Sequence, residues 1–159
     1  MIACVYVPQF ALRIAVLDLP ELDGQPIVLS PSSGERRKAI EVSPEAAAMS
    51  VRPGMAIRDI IATTPGAVII EANPAREAAV AERLTLALEE LSPAVDAGER
   101  ADGAWYVDLT GLGKLHGSDR DVANLLAAAL PPVLRPRVGV ASGRFPARVA
   151  AGTTRAGTP

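Results

Sequence analysis

Apolar and polar positions divide the chain into short alternating elements. Residues 2–7 are an uninterrupted apolar run and read as a buried strand. From residue 9 to 17 the spacing turns helical, with Phe10, Ile14 and Leu17 on one face and Pro8 where a first-turn proline is tolerated. Pro20 and Gly24 then break the chain. Residues 26–29 and 38–43 read as extended segments, separated by the turn cluster Ser30-Pro31-Ser32-Ser33-Gly34. Two short helices follow, over 44–50 and 57–63, on either side of the tight turn Arg52-Pro53-Gly54-Met55. Pro65-Gly66 stops the second helix, and 67–71 is again a strand. Residues 74–91 carry the sharpest helical pattern, with Val80, Leu84, Ala87, Leu88 and Leu91 in one stripe, Asn73 as N-cap and Pro74 at the first helical position.

The second half predicts a hairpin, 94–97 against 104–109 across the turn 98–103. Ser118 then caps a helix reaching residue 130, with Asp121 in capping-box position, and Pro131-Pro132 ends it. Residues 137–141 form a strand, 145–151 a last helical segment, and 152–159 an unstructured tail. This order predicts an α+β fold in which the first strand, the hairpin and the late strand share one ferredoxin-like sheet backed by two long helices. The stretch 20–66 is too long for a loop and has elements of its own, so it reads as an inserted subdomain. The expected organisation is therefore 1–19 with 67–151, an insertion over 20–66, and the tail.

Composition narrows the possibilities. Of 159 residues, 49% are apolar and only 3% aromatic, so aliphatic side chains must fill the core. A net charge of −2 lacks the basic surplus of a free-standing nucleic-acid binder, so DNA binding is expected to be weak or supplied by other domains. The basic triplet Arg36-Arg37-Lys38 reads as a solvated hairpin tip rather than a phosphate site. One cysteine, Cys4, excludes an internal disulfide and fits a cytoplasmic location; inside the first strand it reads as a small buried hydrophobe. The first residues lack the charged start of a signal peptide, and no apolar stretch has membrane-spanning length. His116 has no second His or Cys at ligand spacing, and Gly111, Gly113 and Gly117 lack the lysine-threonine ending of a phosphate loop.

Four local phrases carry a resemblance. Tyr106-Val107-Asp108-Leu109-Thr110-Gly111 is similar to the end of S-I-D-E-A-Y-L-D-L-T-G, and Val51-Arg52-Pro53-Gly54-Met55 to G-V-R-S-G-M. Val138-Gly139-Val140-Ala141-Ser142 is similar to V-G-I-A-S, and Gln25-Pro26-Ile27-Val28-Leu29 to K-P-V-A-V. In this order, and over nearly the whole chain to about Ala151, they resemble the palm and fingers of Y-family (UmuC/DinB-like) DNA polymerases. The family's thumb and little-finger domains would lie beyond that point.

The departures from that family bear on chemistry. Alignment of the first strand puts Tyr6 and Pro8 at the two metal-binding aspartates, Phe10 on an aromatic position and Ala11 at the bulky residue that excludes ribose. Counting back from Asp108 puts Gly103 and Ala104 at the Asp-Glu pair. The Tyr-x-x-Arg that grips the triphosphate falls on Pro44 and Ala47, and Arg144 and Arg148 stand where lysines lie near it, which implies residual anion contacts. Two-metal phosphoryl transfer needs carboxylates holding Mg²⁺ ions roughly 3.5–4 Å apart. Side chains of Tyr, Pro, Gly and Ala supply none, so no catalytic residue, metal or cofactor is expected. This pattern resembles the catalytically inactive ImuB branch. That branch implies a non-catalytic adaptor in translesion synthesis and mutagenic repair, joining a sliding clamp, an error-prone replicative-type polymerase and an accessory repair protein, with no membrane role. The alternative is an active polymerase or nucleotidyltransferase that binds Mg²⁺ through relocated carboxylates, with Asp108, Asp102 and Asp96 as the candidates. Against it, Asp108 reads as a strand-end residue that hydrogen-bonds into the Thr110-Gly111 turn. Tyr6 reads as a packed strand residue, and Trp105 and Tyr106 split across the two sheet faces.

Overall fold

The computed structural model describes residues 1–34, 36–99 and 102–155. In chain order the elements are β1 (Ile2–Tyr6), α1 (Phe10–Asp18), β2 (Ile27–Ser30), β3 (Glu41–Val42), α2 (Pro44–Ala48), α3 (Ile57–Thr63), β4 (Val68–Glu71), α4 (Pro74–Glu89), β5 (Val95–Ala97), β6 (Ala104–Asp108), α5 (Gly113–His116), α6 (Asp119–Ala128), β7 (Arg137–Ala141) and α7 (Arg144–Thr153). The fold class is α+β, as the patterning predicts. Chain contacts divide it into one unit made of Met1–Phe10 with the chain from Ala78 onward, and another made of Ala11–Glu77.

The first unit is built on β1. Its sheet runs β5-β6-β1-β7, every neighbour antiparallel. With α4 between β1 and β5 and α6 between β6 and β7, this is the ferredoxin-like order. Side chains along β1 alternate faces. Val5 stands opposite Trp105, and Cys4 opposite Tyr106. Trp105 is buried, and its indole Nε1 donates to Thr85 Oγ1 of α4 at 2.9 Å. Its ring meets Phe10 edge-on, centroids 5.5 Å apart. α4 buries Val80, Leu84 and Leu88 of the expected stripe together with Ala81, whereas Ala87 is half-buried and Leu91 lies beyond the helix end. Asn73 caps it as expected, its Oδ1 accepting from Arg76 N at 3.0 Å. α6 opens with the expected capping box between Ser118 and Asp121 and packs on β7 and β1.

The other face of the sheet belongs to α7. Cys4, Ala104, Ala147 and Ala151 form a small buried cluster, with Tyr6 and Tyr106 packed around it. These side chains are short, so helix and sheet come very close. At Gly139 of β7 an added Cβ would run into the α7 backbone at Ala147 and Ala151.

The second unit has its own sheet, β3-β2-β4, with β2–β3 antiparallel and β2–β4 parallel. All four residues of β2 are buried, so the strand needs a partner on each edge. This corrects the boundaries at 19 and 66. Residues 67–71 pair with β2 and join the inserted unit, which spans Ala11–Glu77. Pro20 and Gly66 lie in the connections after α1 and α3, whereas the units are set by strand pairing.

Ser43 ties this unit together. Its buried hydroxyl accepts from Ile27 N at 2.8 Å and from Ala46 N at 3.2 Å, and donates to Gln25 O at 3.0 Å. It thereby caps α2 and fastens β2 beside the cluster of Val28, Val42, Ala46, Val51, Ile57 and Ile60. Ser43→Ala is expected to cost about 2 kcal/mol, the upper end for losing a cap and leaving buried donors unmet. Ser118→Ala, at an exposed cap, is expected to cost about half that. Urea unfolding of the two variants checks the difference.

Two local expectations change. α7 runs to Thr153, whose Oγ1 donates to Ala150 O at 2.9 Å, so Gly152 and Thr153 are helical rather than tail. Residues 156–159, also assigned to the tail, lie outside the described residues. The single turn α5 is hidden in the sequence by its flanking glycines. Among the described residues no helix is long and apolar enough to cross a membrane.

Candidate functional site

The antiparallel register brings the positions singled out in β1 and β6 together. Tyr6 pairs with Ala104, and Val7 N donates to Gly103 O at 2.8 Å. Pro8 follows in the turn after β1, half-buried. Tyr6, Pro8, Gly103 and Ala104 thus share one end of the β1–β6 pair. Gly103 is buried and left-handed, with φ of +59°. A Cβ there would lie 2.6 Å from Val7 O and 2.7 Å from Phe10 Cβ. The volume a side chain would need is already filled by the chain itself.

Mg²⁺ takes hard oxygen ligands in near-octahedral geometry. These four residues offer no carboxylate, and at Gly103 there is no room for one. Among the described residues no group of three His, Cys, Asp or Glu side chains is placed to hold a metal ion. The described residues at this end of the β1–β6 pair do not fit a two-magnesium centre.

A different arrangement stands there. α7 carries Arg144 and Arg148 one turn apart, each over a tyrosine. The Arg148 guanidinium carbon lies 3.4 Å from the Tyr6 ring centroid, and that of Arg144 lies 5.5 Å from the Tyr106 ring. Both are cation–π contacts, in which the negative ring face attracts the guanidinium. Arg144 also pairs with Asp96 of β5, Nη2 to Oδ2 at 2.6 Å. The Asp96–Arg144–Tyr106 contact was not read from the sequence. Its only trace is the pair of arginines four residues apart. Burial pushes the Cys4 thiol up to about 11, with Arg148 pulling the other way, so Cys4 is a protonated core residue. Burial also raises Tyr106.

The remaining candidates do not converge. Asp108 pairs with Ile2, at the opposite end of β1 from Tyr6. At the rise of a strand that separates them by about 13 Å along the chain. Asp108 Oδ1 accepts from Thr110 N at 2.9 Å and Thr110 Oγ1 at 2.7 Å. These bonds hold its carboxyl below the usual carboxylate range and account for it as a turn residue. Asp102 is exposed in the β5–β6 connection, where its N–H donates to Glu99 O at 2.8 Å. His116 ends α5. In the second unit, Pro44 is the first residue of α2, and Ala47 O accepts from Arg52 Nη1 at 2.7 Å. Ala11 lies half-buried on α1.

Comparison with known proteins bears on the chain as a whole. Residues 5–152 match the impB/mucB/samB family. DNA polymerase IV of Pelotomaculum thermopropionicum is 26% identical over 136 residues, 84% of this chain and 33% of that protein. Among solved structures, DinB from Sulfolobus solfataricus superposes with a TM-score of 0.79 at 22% identity, over 99% of this chain and 47% of that one. An insertion ternary complex of Dbh DNA polymerase gives 0.78 at 21%, over 99% and 47%. The chain spans about a third of the curated relative and about half of these solved chains.

Proposed function

Because the chain belongs to the impB/mucB/samB family, the Y-family polymerase domain, we propose that it is a non-catalytic, ImuB-like member acting as an adaptor in translesion synthesis and mutagenic DNA repair. The observation that carries this reading is the closed backbone at Gly103, where Val7 O and Phe10 fill the room of a side chain. The arginine–tyrosine stacking beside it supports the same view, because Arg148 brings positive charge to the place where two cations would have to bind. In this reading Arg144 and Arg148 keep the ability to meet an anion, and Pro44 and Ala47 mark a lost triphosphate grip. The partners proposed are a sliding clamp, an error-prone replicative-type polymerase and an accessory repair protein, with DNA affinity supplied mainly by other domains.

A second reading, an active polymerase with relocated carboxylates, is favoured by the relatives' names, which are those of DNA polymerases. Calorimetry and primer extension separate the two. The adaptor reading expects no saturable dNTP binding with Mg²⁺ or Mn²⁺, and no extension, from protein shown to be folded by circular dichroism. Metal-dependent binding together with extension lost in Asp108→Asn would establish the enzyme instead.

A further inference from the structure

The basic triplet, read above as a solvated tip, forms one wall of a cleft in the second unit. Arg36, Arg37 and Lys38 face Arg58, with Ala56, Ile57 and Ile61 between them, around a volume of about 330 Å³. The walls are fixed by backbone bonds. Ile57 N donates to Arg37 O at 3.0 Å, and Lys38 bridges Ala56. Two of the four cations have only long ion pairs. Arg37 meets Glu71 only at 3.6 Å, and Arg58 its own neighbour Asp59 at 3.8 Å. Ile61, between the cations, is 55% exposed.

We propose that this cleft docks a short acidic segment of a partner protein, its carboxylates on the arginine rim and an aliphatic side chain on the isoleucine floor. Guanidinium groups take carboxylates in bidentate pairs, and exposed aliphatic surface flanked by such groups suits a segment that alternates the two. A nucleic-acid strand fits the cleft less well. Sequence-tolerant strand binding relies on aromatic platforms. All five aromatic residues, Tyr6, Phe10, Trp105, Tyr106 and Phe145, fall outside the Ala11–Glu77 unit. That unit also carries seven basic against nine acidic residues, so apart from the cleft's four cations a long polyanion meets mainly like charge. This inference concerns the second unit only and stands whether or not the first unit has lost catalysis.

The test uses the whole chain and three fluorescent probes: a short peptide of Leu spaced between Glu residues, its Glu→Gln counterpart, and oligothymidylate of similar length. Anisotropy is expected to show saturable, salt-sensitive binding of the acidic peptide alone. Affinity is expected to fall at least about tenfold in Arg36→Glu/Arg58→Glu, as reversal of two pairing charges implies. Ile61→Ser should weaken it with the rim intact. All these positions are on the surface, and circular dichroism confirms folding of the variants. Absent peptide binding, or binding indifferent to the variants, overturns the proposal. So does preferential oligothymidylate binding that the double variant abolishes, which would make the cleft a nucleic-acid site. Nucleotide-binding and primer-extension results on the same protein report on the first unit and are read separately.

Discussion

Gly139→Ala is expected to destabilise the protein by about 3 kcal/mol or more, the range of a core residue forced to overlap its neighbours. The argument rests on packing. α7 lies against the sheet through Ala147, Ala151, Cys4 and Ala104, side chains too small to bridge a wide gap. The helix backbone therefore approaches β7 at Gly139, where a methyl group would overlap main-chain atoms of Ala147 and Ala151. Backbone cannot swing aside as a flexible side chain can. To admit the methyl, α7 must lift and lose part of its burial. Gly143→Ala is the control. That glycine is the extended N-cap of α7, and a Cβ there meets nothing nearer than the Pro146 ring at 3.8 Å. It should cost less than about 1 kcal/mol. Urea unfolding followed by fluorescence of Trp105, the single tryptophan, measures both. Equal costs would show that close approach does not hold α7 down.

That helix also explains how far the sequence could be read. Strands β1, β6 and β7 and helices α3, α4 and α6 were visible because apolar runs, stripes and capping residues are local signals. The capping box at Ser118 and the cap at Asn73 occur as read. The pairing of β4 with β2 was not visible. It is a parallel match across some forty residues of chain, and turn residues at 20 and 66 suggested a nearer boundary. On α1 the expected face of Phe10, Ile14 and Leu17 is only part of the picture. Leu17 is half-buried, while Leu12 and Val16 are buried. Arg13 is buried too and pairs with Asp23 at 3.2 Å, a contact the apolar pattern cannot encode. At the candidate site, counting along motifs identified Tyr6, Pro8, Gly103 and Ala104, and the register places them together. The stacking of Arg148 on Tyr6 depends on how α7 seats against the sheet, which no local pattern specifies.

Gly103→Asp, which places here the residue type that the family resemblance implies, is expected to destabilise the protein by about 2–4 kcal/mol and, under the adaptor reading, to bring no metal-dependent nucleotide binding. Two costs add. The left-handed backbone is one, although Asp bears it better than most residues. The larger is steric, because the new Cβ meets Val7 O and Phe10 Cβ inside van der Waals contact. Relief would require breaking the 2.8 Å bond from Val7 N to Gly103 O or moving Phe10 off Trp105. Gly54→Asp separates the terms. Gly54 is also left-handed, at +87°, but has nothing within 4 Å of a Cβ, so it should lose only about 1 kcal/mol. If Gly103→Asp proves as mild as Gly54→Asp, the site is open and the adaptor reading loses its main support. If the cost is larger, the adaptor reading holds its ground, because exchanging side chains alone would not build a carboxylate site at this position. Adding Tyr6→Asp, Pro8→Asp and Ala104→Glu would still leave the backbone at residue 103 turned against the group it must carry, with Arg148 deprived of its ring and drawn to the new carboxylates as a competing cation.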